Sequence, residues 1–334
     1  MICREPLRSY LRSHEFLSSL NLPDGTELTF SLLGQGEYNI NYVFIHPASY
    51  EKLVLRINTG SQMHLKNQIE YEFSALQNLA LSRRTPTPLF CCPEQQLLVM
   101  QWLPGIALDY TTDMDIAAKI LADIHSVPVP ENCHLLQPKA PALAIYEECL
   151  SMVQHYYDWD QADPQVTALL KTLAEEIGRL PLDEPSDAPV CMVNTELNSG
   201  NFLICEDGTG YLVDWEKPLL SEPAQDLGHF LAPTTTFWKT DVILTPEEIR
   251  QFVADYTEAV GSRMDCSSLV KRLPLFFTVT CLRGVTWCAM AYREYCQPGR
   301  ELRNEDTFTK LKAYLDPAFL QNLLDNYVRK DFLA

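Results

Sequence analysis

The chain has 334 residues, of which 46% are apolar, so it is long enough for two lobes with hydrophobic cores. It carries 44 Asp and Glu against 26 Lys and Arg, and this net charge of −18 excludes the basic surface that binding to a nucleic-acid backbone requires. The acidity is compatible with a neutral or cationic small-molecule partner, and equally with a solvated surface that serves only solubility.

The cysteines and the N-terminal segment indicate a soluble, cytoplasmic protein. The 11 cysteines form no CxxC pair, and an odd count in a chain of this length predicts reduced thiols rather than a disulfide framework. Charges run throughout the N-terminal segment, which argues against a signal peptide. Leu7, Leu11, Leu17 and Leu20 instead predict one amphipathic helix.

The first lobe begins with three predicted strands, at residues 27–33, 42–45 and 53–57. Gly34 and Gly36 fall in the turn between the first two. A Gly-x-Gly turn lets the backbone bend over a phosphate without interference from a Cβ atom. An ordinary hairpin turn would show the same pattern, so both interpretations stay open.

One cation and one acid in this lobe are expected to pair. Arg56 lies between apolar neighbours in the third strand, and Glu72 shares a face with Leu76 on the helix predicted over residues 64–81. An inward-facing acid needs a partner, and Arg56 is the natural candidate. Alternatively, Arg56 points to solvent.

The boundary between the lobes is predicted at a Pro-Gly break. Two further strands, residues 89–92 and 97–100, precede the segment 101–105, which contains Pro and Gly and is typical of a linker. We therefore assign residues 1–103 to an N-terminal nucleotide-binding lobe and residues 104–334 to a helical C-terminal lobe.

Helical patterns dominate the second lobe. They cover residues 113–125, 143–157 and 164–179, one begins at 224, and another begins at the capping residue Thr245. The apolar region 273–292 contains Arg283 and three threonines. It therefore predicts a buried core helix rather than a membrane span.

The stretch 189–216 has three short apolar runs separated by polar turns, which predicts three buried strands. Glu196, Asn201 and Asp214 lie at the ends of these strands. Carboxylate and amide oxygens are ligands that Mg²⁺ accepts, and kinases use an acid, an Asn five residues later and an Asp at a strand end. A β-hairpin with polar turns remains the alternative.

Together these pieces resemble the aminoglycoside phosphotransferase and choline kinase branch of the protein-kinase-like fold. Asn-Thr-Glu-Leu-Asn-Ser-Gly-Asn at 194–201 resembles the family's His-Gly-Asp-Leu-His-x-Gly-Asn, and Val-Asp-Trp-Glu at 213–216 resembles its Ile-Asp-Trp/Phe-Glu. Residues 118–125 and 226–227 resemble a helix ending in Leu-His and a closing Asp-Leu, and are interpreted as structural. The resemblance covers residues 27–232 and implies an α+β fold with a small β-rich lobe and a larger helical lobe.

The chain departs from the family pattern at three positions. Glu196 replaces the catalytic Asp, Asn194 replaces the His two residues earlier, and Arg56 replaces the strand Lys. Glu keeps the charge but adds a methylene, and a displacement of about 1 Å can cost on the order of 100-fold in rate. Arg56 presents a planar fork rather than a point charge.

The resemblance implies an ATP-dependent phosphotransferase that uses Mg²⁺ and acts on a hydroxyl of an amino-alcohol, sugar or aminoglycoside-like molecule. Its nucleotide-binding residues would be Gly34, Gly36, Arg56, Glu72, Gln101 and Leu103. Its catalytic residues would be Glu196 as the base, with Asn201 and Asp214 as metal ligands. A catalytically silent nucleotide-binding pseudokinase and a scaffold that binds no nucleotide are the alternatives.

A protein kinase is disfavoured, because the short segment between Asp214 and Asp226 leaves no room for a long activation segment. We expect an acceptor pocket in the second lobe that is lined by acids and aromatic rings. The candidates are Tyr156, Tyr157, Asp158, Trp159, Asp160, Trp238, Trp287 and Tyr292. For Trp287 and Tyr292 the favoured alternative is a core position, and a cleft lined by Lys and Arg would indicate an anionic acceptor.

Overall fold

The computed structural model describes residues 5–36, 38–61, 63–297 and 304–330. Two short helices, α1 (Glu5–Tyr10) and α2 (His14–Ser19), stand where one amphipathic helix was predicted. The four leucines that carry the prediction are all buried. The helix breaks because Ser13 accepts a hydrogen bond from Phe16 N at 3.3 Å and so starts a new helix.

A five-stranded antiparallel sheet forms the rest of the smaller lobe, in the order β1-β2-β3-β5-β4. Its strands are β1 (Ser31–Gln35), β2 (Asn39–Ile45), β3 (Lys52–Asn58), β4 (Pro88–Cys92) and β5 (Leu97–Gln101). The first strand starts at Ser31 and not at 27, because its pairing with β2 begins with Ser31 opposite Val43. Helix α3 (Gln68–Asn78) lies between β3 and β4 in the chain and packs against β4 and β5.

The connection to the second lobe is fixed by close backbone packing. Gly105 has φ +126°, and a Cβ atom there would lie 2.9 Å from the carbonyl carbon of Leu203, so only glycine fits. The next residues form β6 (Ile106–Ala107), which pairs with a strand of the second lobe. The exact boundary after residue 103 remains a prediction, since side chains of β3, β5 and α3 belong to the same hydrophobic cluster as the C-terminal helices.

The larger lobe is mainly helical within the described residues. Its helices are α4 (Met114–His125), α5 (Pro141–Tyr157), α6 (Pro164–Gly178), α7 (Pro223–Leu231), α8 (Pro233–Lys239), α9 (Pro246–Val260), α10 (Leu269–Cys296), α11 (Glu305–Tyr314) and α12 (Pro317–Leu323). The predicted cap of α9 is present: Thr245 Oγ1 accepts from Glu248 N at 3.3 Å, and Thr245 N donates to Glu248 Oε2 at 2.7 Å.

Three short strands of this lobe lie in the stretch 189–216 singled out from the sequence, as predicted, and a fourth follows it. They are β7 (Cys191–Val193), β8 (Phe202–Ile204), β9 (Gly210–Leu212) and β10 (Leu219–Ser221). Strand β7 pairs with β10, and β6, β8 and β9 form a separate small sheet. Both sheets end at the cleft between the lobes, which is where the polar residues of this stretch lie.

Helix α10 is the central element of the larger lobe and packs on α5 and α7. It is long and apolar enough to cross a membrane by length and composition, but 72% of its most apolar window is buried inside the protein. The prediction of a core helix is confirmed. The ten described cysteines are all free thiols.

Candidate active site

Asp214 follows strand β9, where the backbone turns into the cleft. Its φ of 65° lies in the left-handed region that a non-glycine residue rarely adopts. Asn194 Nδ2 donates to the Asp214 carbonyl oxygen at 2.9 Å and holds this turn. The side chain of Asp214 is 41% exposed, so its carboxylate is available to a ligand in the cleft.

Arg56 connects strand β3 with helix α3 and with Asp214. Its Nη1 lies 2.6 Å from Glu72 Oε1 and 3.1 Å from Asp214 Oδ1, and its Nε donates to Asn41 Oδ1 at 3.0 Å. The predicted ion pair with Glu72 is therefore present, and the alternative of a solvent-facing Arg56 is wrong. The side chains of Arg56 and Glu72 are only 6% and 2% exposed, so the pair is essentially dry.

The charges in this pair act on one another strongly because little water screens them. Burial disfavours the charged guanidinium, yet the negative charges of Glu72, Asp214 and Glu216 outweigh burial and raise the pKa of Arg56. Burial raises the pKa of Glu72, and Arg56 opposes that rise. Arg56 is thus a fixed cation at the root of the cleft.

The loop 194–201 is anchored at its start by a buried carboxylate of α7. Asp226 accepts hydrogen bonds from the backbone N–H groups of Asn194 at 2.8 Å and Thr195 at 2.9 Å. His125 Nε2 lies 3.3 Å from the same carboxylate, and His125 Nδ1 lies 3.0 Å from the Tyr256 hydroxyl. His125 and Asp226 therefore have the structural role that the sequence predicted.

The same loop brings Glu196 and Asn201 beside the strand that leads to Asp214. Asn201 Nδ2 donates to the Glu196 carbonyl oxygen at 3.0 Å, and Val213 N donates to the Asn201 carbonyl oxygen at 2.8 Å. The structure thus places the acid, the amide and the second acid around one end of these strands, as the spacing predicted.

Sequence reasoning missed the partner of Glu196. Lys217 Nζ forms an ion pair with Glu196 Oε1, and the two side chains are 8% and 32% exposed. Burial lowers the pKa of Lys217, and the positive charge of Arg283 lowers it further. The negative charge of Glu196 opposes both effects. The available signal was a cation placed directly before Pro218 and the short strand β10.

Glu216 is the second residue that sequence reasoning left without a role. Asn39 Nδ2 of the smaller lobe donates to Glu216 Oε2, and Gln68 Nε2 donates to its carbonyl oxygen at 2.5 Å. Burial, together with the charges of Asp214 and Glu196, raises the pKa of Glu216 to about 7. This residue therefore joins the two lobes and adds negative charge beside Asp214.

These residues surround a cavity of about 320 Å³, within the range of roughly 300–1,000 Å³ that small-molecule sites occupy. Its described lining consists of Gly36, Tyr38, Asn39, Asn41, Glu196, Asp214, Glu216 and Trp287. No Lys or Arg occurs in this described lining. Among the nucleotide-binding candidates only Gly36 lines the cavity, whereas Arg56 and Glu72 lie behind Asp214, and Gly34, Gln101 and Leu103 are absent from the described lining.

Among the predicted nucleotide contacts, the two glycines have open space beside them and the Leu103 N–H has no acceptor in the described part of the chain. A Cβ atom added to Gly34 would meet nothing within 4 Å, and one added to Gly36 would meet only the Asn39 carbonyl oxygen at 3.9 Å. Gln101 N donates to the Thr87 carbonyl oxygen at 2.9 Å. The Leu103 N–H donates to no acceptor in the described part of the chain, which leaves it for the edge of a base.

The donor set fits a magnesium ion bound partly by phosphate. Within the described ranges no three His, Cys, Asp or Glu side chains converge as a complete metal site. Asp214 and the amide of Asn201 supply hard oxygen atoms, and Mg²⁺ usually takes one or two carboxylates together with substrate phosphates and water. Burial is the main cause of the raised pKa of Glu216, and the charges of Asp214 and Glu196 add to it, so a bound cation would stabilise the charged carboxylate.

The residues predicted to line an aromatic acceptor pocket differ in exposure, and the acids Asp158 and Asp160 are exposed. Tyr156 is buried, and Trp159 packs between Tyr156 and Tyr292 with centroid distances of 5.9 and 6.1 Å. Of the eight candidates only Trp287 belongs to the described lining of the cavity: it is 36% exposed and packs edge-on against Trp238 at 5.3 Å. The favoured core position for Trp287 is therefore wrong, because its face of α10 borders the cleft.

Three solved structures that resemble this chain are small-molecule kinases. An ethanolamine kinase from Plasmodium vivax aligns with a TM-score of 0.62 at 16% identity, covering 96% of this chain and 91% of that chain. A choline kinase from Cryptosporidium parvum gives 0.65 at 13% identity, covering 97% of both chains. A spectinomycin phosphotransferase in complex with ADP and spectinomycin gives 0.60 at 15% identity, covering 89% of this chain and 94% of that chain.

These likenesses confirm the two-lobe kinase-like fold. No curated protein matches the sequence. The model of the phosphotransferase enzyme family matches residues 29–265, well over half of the chain. On that match, the chain is a member of the phosphotransferase enzyme family.

Proposed function

We propose that this protein transfers the γ-phosphoryl group of ATP to a hydroxyl of a small molecule. The observation that carries the proposal is that Glu196 and Asp214 line one cavity, while Arg56 joins Asp214 to the smaller lobe. A base and a metal-binding acid that face the same space are what an in-line transfer to a hydroxyl requires.

The residues divide the reaction between two sides of the cavity. ATP lies along the cleft edge, with its base near Leu103 and its phosphates at Gly34 and Gly36. Mg²⁺, held by Asp214 and Asn201, neutralises charge on the phosphates when it is bound. Glu196 takes the hydroxyl proton as the acceptor oxygen bonds to the γ-phosphorus, the bond to the β–γ bridging oxygen breaks, and ADP leaves.

The lining favours a neutral or cationic acceptor. Three carboxylates, Glu196, Asp214 and Glu216, face the cavity beside the ring of Trp287. An ammonium group on a Trp face gains about 0.5–2 kcal/mol, and the carboxylates attract the same charge. Ethanolamine, choline and spectinomycin, which the structural neighbours are named for, are therefore the first acceptors to test, with sugars as neutral ones.

A nucleotide-binding protein without turnover is the second candidate. One observation favours it: Oε1 of Glu196 is already paired with Lys217, and a base that is tied in an ion pair is a weaker proton acceptor. The two candidates differ in turnover and not in binding of Mg-ATP.

The test is ADP release from Mg-ATP across a screen of amino-alcohols, aminoglycosides and sugars, with Glu196→Gln as the matched variant. Acceptor-dependent ADP release by the wild type, reduced about 10²–10⁴-fold in Glu196→Gln, is expected for a general base. Binding of Mg-ATP without ADP release for any acceptor would favour the silent candidate. Absence of both binding and release would remove the proposal.

A further inference from the structure

Glu196 and Lys217 lie just beyond the same end of the short ladder formed by β7 and β10. Strands β7 and β10 pair antiparallel, with Val193 opposite Leu219. Two residues beyond the last pair on each strand, Thr195 Oγ1 donates to the Lys217 carbonyl oxygen at 2.9 Å. The ladder therefore determines that the side chains of residues 196 and 217 meet.

The backbone around Lys217 is held on both sides. The carbonyl oxygen of Glu216 accepts from Gln68 Nε2 at 2.5 Å, and that of Pro218 accepts from the Tyr71 hydroxyl at 2.6 Å. These two hydrogen bonds hold the backbone at Lys217 in place, and so limit where its ammonium group can lie. By contrast, the side chain of Glu196 has one more rotatable bond than an Asp would have, and it lies at the cavity wall.

The two oxygen atoms of Glu196 have different surroundings. Oε1 pairs with Lys217, whose side chain is 8% exposed and does not belong to the cavity lining. Oε2 has no hydrogen-bond partner among the described residues, and Glu196 is one-third exposed on the cavity side. The loop 194–201 contains no Lys, Arg or His of its own, so the cation for Glu196 comes from outside that loop.

We propose that Lys217 is a positioning residue: it holds Glu196 by Oε1 and leaves Oε2 for the acceptor hydroxyl. This inference rests on the proposed function, since it assumes that Glu196 acts on an acceptor. The pair compensates for the longer side chain at position 196, because a carboxylate that rotated freely would sample positions more than 1 Å from the acceptor. Displacements of about 1 Å can lower a rate on the order of 100-fold.

The kinetic test compares Lys217→Met, Lys217→Arg and Lys119→Met in ADP release from Mg-ATP, with the acceptor that the screen identifies or with water alone. Lys217→Met is expected to lower kcat about 10–100-fold and to change KM for ATP less than about twofold, because the nucleotide contacts lie elsewhere. Lys217→Arg keeps a cation and should recover part of kcat. Lys119, which pairs with Asp115 at 2.9 Å on the exposed face of α4, controls for the loss of one lysine charge.

Thermal unfolding of the same proteins supplies a measurement that needs no turnover. Glu196→Gln leaves the Lys217 ammonium buried without a counter-charge and should lower Tm, whereas Lys217→Met leaves Glu196 able to hydrate. The double variant Glu196→Gln/Lys217→Met should lose less Tm than the sum of the single variants. A loss equal to the sum would overturn the pairing and with it the proposal.

The outcomes separate this inference from the proposed function. Wild-type turnover that Lys217→Met retains in full would overturn the positioning role alone. A wild-type protein that shows the coupling but no ADP release, with any acceptor or with water, would overturn the proposed function and the positioning role together. The inference is supported if the double variant loses less Tm than the sum of the single variants, and if Lys217→Met lowers kcat while Lys217→Arg restores part of it.

Discussion

The two walls of the cavity are held by different means. On the nucleotide side, Asp214 is tied to Arg56, which is buried and shared with Glu72 and Asn41. On the acceptor side, Glu196 is one-third exposed and is held by Lys217. The contrast indicates that the proposed nucleotide half is held by several buried contacts, whereas the geometry of the proposed acceptor half depends on a single ion pair and on the anchoring of its loop.

The largest effect is expected on stability at the nucleotide side. Arg56→Met removes the cation that serves two carboxylates and leaves Glu72 buried and unpaired, which should cost about 3–5 kcal/mol of unfolding free energy. Glu72→Gln, which leaves Arg56 paired with Asp214, should cost less. Denaturant unfolding at neutral pH measures both.

The same pair of variants has a pH signature. Burial raises the pKa of Glu72 and Arg56 opposes the rise, so Glu72 in Arg56→Met should bind a proton in the native state at a higher pH than in the wild type. The deficit of Arg56→Met should therefore shrink as the pH is lowered, whereas that of Glu72→Gln should not show this recovery. Equal deficits at all pH values would contradict a buried, charged pair.

Weakening the hydrogen bonds between Asp226 and the loop 194–201 should affect Glu196 more than the nucleotide contacts. Asp226→Asn replaces a carboxylate that accepts from two backbone N–H groups of the loop by an amide, at a cost of about 1.5–3 kcal/mol. Because Glu196 follows this anchor, kcat should fall more than the affinity for Mg-ATP. A variant that loses nucleotide affinity while keeping kcat would reverse the comparison between the two walls.

A smaller effect is expected where the cavity meets the glycine turn. Gly36→Ala adds a methyl group that contacts no protein atom closer than 3.9 Å, so Tm should stay unchanged. Gly36 lines the cavity, so the methyl group should weaken ATP binding about tenfold, or about 1.4 kcal/mol. Gly34→Ala, outside the described lining, should weaken it less. Equal ATP affinities for wild type and Gly36→Ala would remove Gly36 from the phosphate site.

The smallest effect is an acid-dependent change in stability beside Lys217. Burial and the cations Arg283 and Lys217 lower the pKa of His229 to about 3. The unfolded chain, with a His pKa of about 6.5, binds a proton that the folded state refuses, so this contribution is present above pH 6.5 and is lost as the pH falls toward 3. Between pH 7 and 5.5, His229→Asn should lose about 1–3 °C less in Tm than the wild type. An identical Tm loss in both proteins would contradict a neutral His229 in the folded protein.

Local sequence patterns were sufficient to predict the Arg56–Glu72 pair on the proposed nucleotide side. Arg56 stands alone in an apolar strand and Glu72 lies on the inward face of the next helix, so sequence alone indicated both ends of that pair. Lys217 was missed because its contact with Glu196 depends on the register between β7 and β10, which no local period encodes. Similarly, the split between α1 and α2 depends on one side-chain cap at Ser13 that competes with helix continuation.

The order of helices and strands could be predicted from local periodicity, but the position of Trp287 at the cavity could not. Period and turn residues indicate elements, and they indicated that the region 273–292 is a buried helix. They do not indicate which face of a helix that is apolar nearly all round meets a cleft. Trp287 borders the cavity because β-rich and helical lobes meet there, which is a property of the assembled fold.

The central claim is that the cleft binds Mg-ATP through Asp214, and calorimetric titration of ATP in Mg²⁺ or in EDTA tests it most directly. We expect Mg²⁺-dependent ATP binding by the wild type. We also expect Asp214→Ala to lose the Mg²⁺ dependence while keeping its fold, because Arg56 remains paired with Glu72. Identical ATP binding by the wild type and Asp214→Ala, with and without Mg²⁺, would contradict the account.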